Sequence, residues 1–504
     1  MHTRFCRRDF LKATGTGFVS AILPLRDIFA GGQRAPGDKR TNIILIMADD
    51  VSPDLYGCYG NRDVHTPNLD RMAREGVMFQ TCWAAAMCAP TRAMLMTGRY
   101  GQRTGYYHNS IHIPQADGSD RLFTYHHSFA KLLKQAGYAT AIAGKWHCSA
   151  NRPESPEVGF DEYCLWESAQ QIQRLPGKPT FTGAWESKAD SSTTSRYWHP
   201  GIIRNHELVE TGPTDFGPAI FTDFLCDFME RKQAQPFLAY FPMVSPHGTR
   251  EGVTTTPLRG KPGEMGRPSS RDEAEARFRA LNEYIDVLIG RLWKKVEALG
   301  LGDRTILMFT ADNGTAVTAK TRAVERGCRV PFIVSGGPVK KRGATDELTD
   351  LADVLPTLVD FAGATIPAGY ELDGTSLKPF LTGRTNAHRR WIYSSIGCSV
   401  LVRTKRYLLE AVNPSLGFPD GRLYDCGDSR DGRGYRRISD AAEAAKVRRI
   451  FEPILQKYPP LKTSHSFFRS AKGKRFLAEY TQPASIDKHL HNHDDYRFYD
   501  EDQA

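Results

Sequence analysis

Five short apolar runs punctuate the first two-thirds of the chain, at 42–47, 139–143, 236–241, 305–310 and 331–334. Their hydrophobicity is continuous rather than alternating, which marks strands covered on both faces, as in a parallel sheet between layers of helix. Apolar residues at helical spacing predict helices at 66–75, 128–135 and 271–299. The alternation from about Thr41 to Arg384 therefore predicts an α/β fold around a central, mostly parallel sheet flanked by helices, with one large domain over 41–385. Residues 177–218, rich in Gly, Pro, Ser and Thr, break the rhythm and read as an insertion loop over the sheet's edge that faces substrate. After Leu381-Thr382-Gly383-Arg384 the pattern changes. Short strands at 390–395, 399–403, 406–412 and 423–425, then an amphipathic helix at 440–458, predict a smaller C-terminal α+β domain with an antiparallel sheet over 386–504. The tail from Lys488, with His489, His491 and His493, reads as a polar terminus rather than a metal site.

Composition narrows the class. A 504-residue chain has room for two or more domains, and 40% hydrophobic with 25% charged residues is the balance of a soluble globular protein. The net charge of +10 would suit an anionic partner, but part of it lies in the first 30 residues, where Arg4, Arg7, Arg8, Lys12 and Arg26 face only Asp9 and Asp27. No basic block interleaves with aromatic residues, so no nucleic-acid partner is expected. The leader runs Arg7-Arg8-Asp9-Phe10-Leu11-Lys12, continues through a weakly apolar stretch at 13–25 and offers a cleavage site after Ala30. It resembles a twin-arginine signal peptide over 1–30, followed by a linker over 31–40, and implies export machinery as a partner and a periplasmic or secreted location. No other run approaches the roughly 20 apolar residues that a bilayer requires, so no membrane association of the mature chain is expected.

The sequence with the clearest chemical content is Cys88-Ala89-Pro90-Thr91-Arg92. Pro90 suits a first helical position, Ala93 to Met96 continue the helix and Gly98 ends it, so Cys88 is expected at a helix N-terminus. There the backbone N–H groups favour an anion, and Arg92, one turn on, faces the same point. Four of the five apolar runs end in polar residues of catalytic type: Asp49-Asp50, Lys145-Trp146-His147, Ser245-Pro246-His247 and Asp312-Asn313-Gly314. In an open α/β sheet the ligand site lies beyond the carboxyl ends of the strands, which would bring these groups together. Asp49, Asp50, Asp312 and Asn313 form a hard oxygen set suited to Ca²⁺ or Mg²⁺, without a histidine beside them that would point to zinc.

The longer string Cys88-Ala-Pro-Thr-Arg-Ala-Met-Leu-Met-Thr-Gly-Arg99 resembles the type I sulfatase signature C-x-P-[ST]-R-x-x-L-x-T-G-R. The resemblance covers most of Thr41 to Arg384. It includes N-I-I-L-I-M-A-D-D at 42–50, Thr66-Pro67-Asn68-Leu69-Asp70 with Gly76-Val77-Met78-Phe79, Gly144-Lys145-Trp146-His147, Asp312-Asn313-Gly314, and a lysine five residues before a glutamate at Lys320 and Glu325. It implies an alkaline-phosphatase-like fold and a cysteine oxidised to formylglycine by a maturation enzyme. On that likeness Asp49, Asp50, Asp312 and Asn313 hold Ca²⁺, which also touches residue 88. Arg92 orients the hydrated aldehyde, and Lys145 and Lys320 neutralise sulfate oxygens. His247 protonates the leaving alcohol, and His147 takes the proton that releases sulfate.

The implied substrate is a sulfated small molecule or saccharide. A phosphodiesterase or phosphonate hydrolase on the same scaffold, or an inactive binder of sulfated polysaccharide, are the alternatives. Gly248-Thr249 stands where the family commonly has a proline two residues after the histidine, and Glu325-Arg326-Gly327 replaces E-G-G. Of the ten cysteines, eight remain once Cys6 and Cys88 are set aside; their spacings form no framework, Cys82 and Cys88 could pair in principle, and the rest are expected mostly buried and reduced.

Overall fold

The first apolar run becomes the middle of a ten-stranded sheet. In the structure, a computed structural model that describes residues 40–482 apart from 188–189, 249–251, 262, 265–266 and 316–319, the strand β1 is Asn42–Ala48, and all seven of its residues are buried. The twin-arginine leader and the histidine-containing tail lie outside the described residues. The other strands of the sheet are β2 (Val77–Trp83), β3 (Ala139–Gly144), β4 (Glu162–Trp166), β5 (Ile202–Arg204), β6 (Glu207–Leu208), β7 (Phe237–Pro242), β8 (Thr305–Ala311), β9 (Arg329–Gly336) and β10 (Gly343–Asp350). Their spatial order is β6-β5-β4-β3-β7-β1-β8-β9-β2-β10. Strands β4, β3, β7, β1 and β8 run parallel, with Ile44 registered to Ala239 on one side and Leu307 on the other. Strands β5 and β9 run against their neighbours, so the fifth apolar run lies in an antiparallel strand.

This order has a consequence for the site. Strands β3, β7, β1 and β8 are consecutive neighbours pointing the same way, and they are the four whose carboxyl ends carry the polar motifs.

The long helix Arg271–Ala298 packs against the helix Pro67–Glu75, where buried Asp286 accepts hydrogen bonds from the N–H groups of Asn68 at 3.2 Å and Leu69 at 2.8 Å. That satisfies two of the free amides at the start of the shorter helix. The insertion is more ordered than a loop: β5 and β6 extend the sheet's edge, and Trp185–Ser187 pairs with Asp190–Thr194 as a separate ribbon. Threonine favours strands, and pairing at an edge needs no continuous apolar run.

A second, antiparallel sheet consists of β11 (Trp391–Ile396), β12 (Ser399–Thr404), β13 (Tyr407–Val412), β14 (Arg422–Asp425) and β15 (Arg436–Arg437), followed by the helix Ala441–Lys457. Ile392, Leu401 and Leu408 from this sheet share one apolar cluster with Trp83, Ala86 and Met87 at the end of β2. Ser394 Oγ donates to the Ala84 carbonyl at 2.8 Å. The second sheet thus lies behind the loop that leads into Cys88. Among the described residues nine cysteines are free, and Cys82 and Cys88 are not bridged.

Candidate active site

Cys88 is the first residue of the helix Cys88–Thr97, as its sequence predicts, and Gly98 ends the helix with φ 68, its N–H returning to the Met94 carbonyl. A left-handed end of this kind favours glycine. The start differs in detail. Pro90 is the third helical residue rather than the first, and the Ala89 N–H is taken by Asn109 Oδ1 at 3.1 Å. All ten helix residues are buried, which sets Cys88 on the floor of the site.

The carboxyl ends of the four central strands converge on the thiol. Cys88 Sγ lies 3.6 Å from Asp49 Oδ1 and 3.8 Å from Asp50 Oδ1. One donor atom from each of Asp49, Asp50, Asp312 and Cys88 falls within 4.8 Å of the others. Asn313 donates to Asp50 Oδ1 at 2.8 Å, while its own Oδ1 is buried without a partner. An orphaned buried amide oxygen is costly unless something fills it. With three carboxylates around it, the missing partner fits a hard cation, and the donor set is one that Ca²⁺ or Mg²⁺ accepts.

Three cations enclose the carboxylates. Arg92 Nη2 lies 2.7 Å from Asp312 Oδ2 and 3.7 Å from Asp49 Oδ2, and its Nη1 donates to the Lys145 carbonyl at 3.1 Å. Lys145 Nζ lies 2.6 Å from Asp49 Oδ2, and Lys320 Nζ lies 2.7 Å from Asp50 Oδ1. Burial raises carboxyl groups, but at Asp49 the charges of Lys145, His247, Arg92 and Lys320 outweigh it and hold the group well below the carboxylate range. At Asp312 burial wins, with help from the Asp49 charge, and pushes it up to about 6 against Arg92 and Lys145. Burial also drives the Cys88 thiol well up, with the neighbouring carboxylates adding to it.

The histidines stand apart from this floor. His247 Nε2 is 3.3 Å from Asp50 Oδ2 and 3.4 Å from Lys320 Nζ, while its Nδ1 donates to the Gly248 carbonyl at 2.6 Å. Enclosure pushes it down to about 4, partly offset by Asp50 and Asp49, although 26% of its side chain is exposed. His147 is exposed to the cavity, makes no hydrogen bond among the described residues, and is lowered by enclosure and then by Lys145 and Arg92.

Backbone strain collects at the same place. Asp50 has φ 68 and His147 φ 39, a region that side chains other than glycine seldom occupy. Gly144, just before Lys145, has φ 119, and a Cβ there would lie 2.1 Å from the Pro242 carbonyl oxygen.

All ten residues singled out in the sequence therefore lie in one site: Cys88, Arg92, Lys145, His147, His247, Lys320, Asp49, Asp50, Asp312 and Asn313. The sequence placed the insertion against the substrate but singled out no residue of the wall above them. A cavity of about 500 Å³ runs from Lys145, His147 and His247 to Trp166, Glu167, Gln171, Thr193 and Arg196. Arg196 pairs with buried Glu186, its Nη2 3.0 Å from Oε2, and lies 4.3 Å from the Trp166 ring centre. Tyr197 Oη donates to the His247 carbonyl at 2.7 Å, so the insertion also braces the histidine. No motif marks these positions, because the end of β4 and the residues after it meet the insertion's Thr193 and Arg196 only in the folded chain.

Comparison with known proteins agrees with the geometry. A family model described as Sulfatase matches residues 41–364. Human arylsulfatase H is 29% identical over 447 residues, covering 73% of this chain and 77% of that protein. The solved structure of Ps i-CgsB in complex with k-i-k-neocarrahexaose superposes with a TM-score of 0.67 at 22% identity, covering 88% of this chain and 98% of that one. Another, in complex with its substrate D-glucosamine-2-N,6-O-disulfate, gives 0.62 at 23% identity over 83% of this chain and 97% of that one. With its alkaline-phosphatase-like sheet and the family match over most of the chain, this protein belongs to the sulfatase family and is a sulfuric ester hydrolase.

Proposed function

We propose that the enzyme hydrolyses sulfate esters of a saccharide, using formylglycine made from Cys88 by a maturation enzyme. The observation that carries this reading is the convergence of Cys88, three carboxylates and three cations beneath a cavity walled by His147 and His247. Formylglycine supplies a hydrated aldehyde whose hydroxyl reacts at sulfur. Asp49, Asp50, Asp312 and Asn313 would hold Ca²⁺, with Mg²⁺ as the second choice, and the ion would supply positive charge to the sulfate oxygens.

The remaining groups divide the work. Arg92 fixes Asp312 and Asp49 and, one turn after residue 88, holds that side chain's surroundings rigid. Lys145 spends one N–H on Asp49, Lys320 meets Asp50 and His247 Nε2, and the N–H groups that remain can meet sulfate oxygens. His247 in its neutral form carries its proton on Nδ1, so its Nε2 gains one when the anionic substrate arrives and then holds it at the leaving oxygen. His147, neutral and open to the cavity, accepts the proton that accompanies sulfate release.

The saccharide reading is supported by the two indoles, Trp146 and Trp166, in the cavity wall, where sugar rings find an apolar face beside polar Gln171, Thr193 and Glu167. The two solved relatives with bound sugars point the same way. Export is supported by the Arg7-Arg8 leader, and among the described residues no helix is long and apolar enough to cross a membrane. Assaying one preparation against an aryl sulfate, an aryl phosphate diester and defined sulfated saccharides tests the reading. Preference for the diester would favour the phosphodiesterase alternative. Absence of turnover with formylglycine present at residue 88 by mass spectrometry would favour the inactive binder.

A further inference from the structure

We propose that the second sheet positions Lys320 through a buried clamp on Glu325, which makes Arg403 and Tyr435 positioning residues for the reaction. The proposal rests on the role given to Lys320 above, and its test separates the two. Glu325 follows Lys320 by five residues in the chain and is buried. Its carboxylate receives Arg403 Nη1 at 2.6 and 2.7 Å, the Tyr435 hydroxyl at 2.7 Å and Trp83 Nε1 at 3.2 Å. Its own N–H donates to Glu410 Oε2 at 3.0 Å. Arg403 lies in β12 and Glu410 in β13, and Arg403 is wholly buried, its Nη2 donating to the Ser429 carbonyl at 3.0 Å. None of these groups lines the cavity beside His147 and His247.

The clamp holds the stretch that leads back to Lys320. The Thr321 N–H donates to the Ala86 carbonyl at 2.8 Å, two residues before Cys88, and the Ala411 N–H in β13 donates to the Ala323 carbonyl at 2.9 Å. The stretch is therefore fixed between the loop into Cys88 and the second sheet. Thr321 has φ 71, a left-handed conformation that is strongly unfavourable for a β-branched residue and persists where the surroundings dictate it. A lysine side chain has four rotatable bonds, so its ammonium is only as well placed as its backbone. Here that ammonium reaches both Asp50 and His247 Nε2. Stability alone does not explain a buried arginine–glutamate pair, because well-packed apolar residues commonly serve as well or better. Placement of the neighbouring lysine does.

The test is a double-mutant cycle on the matured enzyme with an aryl sulfate, the melting temperature reporting retention of the fold. Tyr435→Phe removes one hydrogen bond to Glu325 without stranding a charge. It is expected to lower kcat about threefold to tenfold, the range one lost hydrogen bond supports. Arg403→Lys, which keeps the charge but loses the planar guanidinium that reaches Glu325 through Nη1 and the Ser429 carbonyl through Nη2, is expected to lose more. In a Lys320→Ala background, Tyr435→Phe should have no further effect on kcat, since the group it positions is gone. Losses that multiply in the double variant overturn the clamp, as does a wild-type rate for Tyr435→Phe. Wild-type activity for Lys320→Ala would instead overturn the role assigned to that lysine.

Discussion

Replacing Arg92 by Met tests the electrostatic account of the site floor. The side chain is 1% exposed, and methionine retains much of its apolar stem, so the change is chiefly the loss of charge. At an effective dielectric of about 20, the 2.7 Å contact with Asp312 amounts to about 6 kcal/mol before desolvation is subtracted. Stranding one partner of a buried pair costs about 3–5 kcal/mol net, and Lys145 still compensates Asp49 here, which favours the lower end. In a chain of this size 1 kcal/mol moves the melting temperature by about 1–2 °C, so a fall of about 3–10 °C is expected in chelator. Calcium bound among Asp49, Asp50 and Asp312 would restore positive charge beside the stranded carboxylate, so the deficit should shrink in millimolar calcium. Calorimetry of both proteins under both conditions measures it. A deficit below about 1 °C in chelator would refute the energetic reasoning. Equal deficits with and without calcium would refute the placement of the ion.

Three further outcomes follow from the proposed roles. Cys88→Ala should fold normally and retain less than about a hundredth of wild-type turnover, and a larger residue of activity would exclude formylglycine as the reacting group. His247→Ala should slow alkyl sulfates by about a hundredfold or more but nitrophenyl sulfate far less, because that leaving group departs without a proton; equal losses would reduce His247 to a sulfate-binding role. Trp166→Ala should raise KM for a sulfated saccharide about tenfold while leaving nitrophenyl sulfate nearly unchanged, and a parallel effect on both would remove the indole from the sugar-binding wall.

The legible part of this site was legible for a physical reason. A strand buried on both faces must be apolar throughout, so the runs ending at Met47, Ala143, Phe241 and Thr310 stand out, and the polar residue that follows each one marks the strand's carboxyl end. Strand β10, Gly343–Asp350, gave no such signal because it lies at the sheet's edge and is part exposed, so its G-A-T-D-E-L-T-D sequence carries polar residues at most positions. Arg196 and Trp166 reach the cavity through the fold of the insertion and its sheet edge. Arg403 meets Glu325 across 78 residues of chain, a distance at which local pattern says nothing.

The charge inventory explains why this floor suits a sulfate ester. Asp49, Asp50 and Asp312 face Arg92, Lys145 and Lys320, three potential negative charges against three positive ones, and the two lysines occupy the carboxylates in the absence of other partners. A divalent cation held by the carboxylates would release the lysines and leave the floor with a surplus of two positive charges. A sulfate monoester brings one negative charge, which shifts toward the leaving oxygen as the bond to sulfur breaks, where the proton of His247 meets it. Fixed charges aimed at the oxygens where that charge gathers favour the transition state over the bound ester, which is the condition for them to accelerate a reaction rather than merely bind its substrate. A phosphate monoester dianion would neutralise the floor on binding, whereas a sulfate monoester leaves it one positive charge to direct at the leaving oxygen.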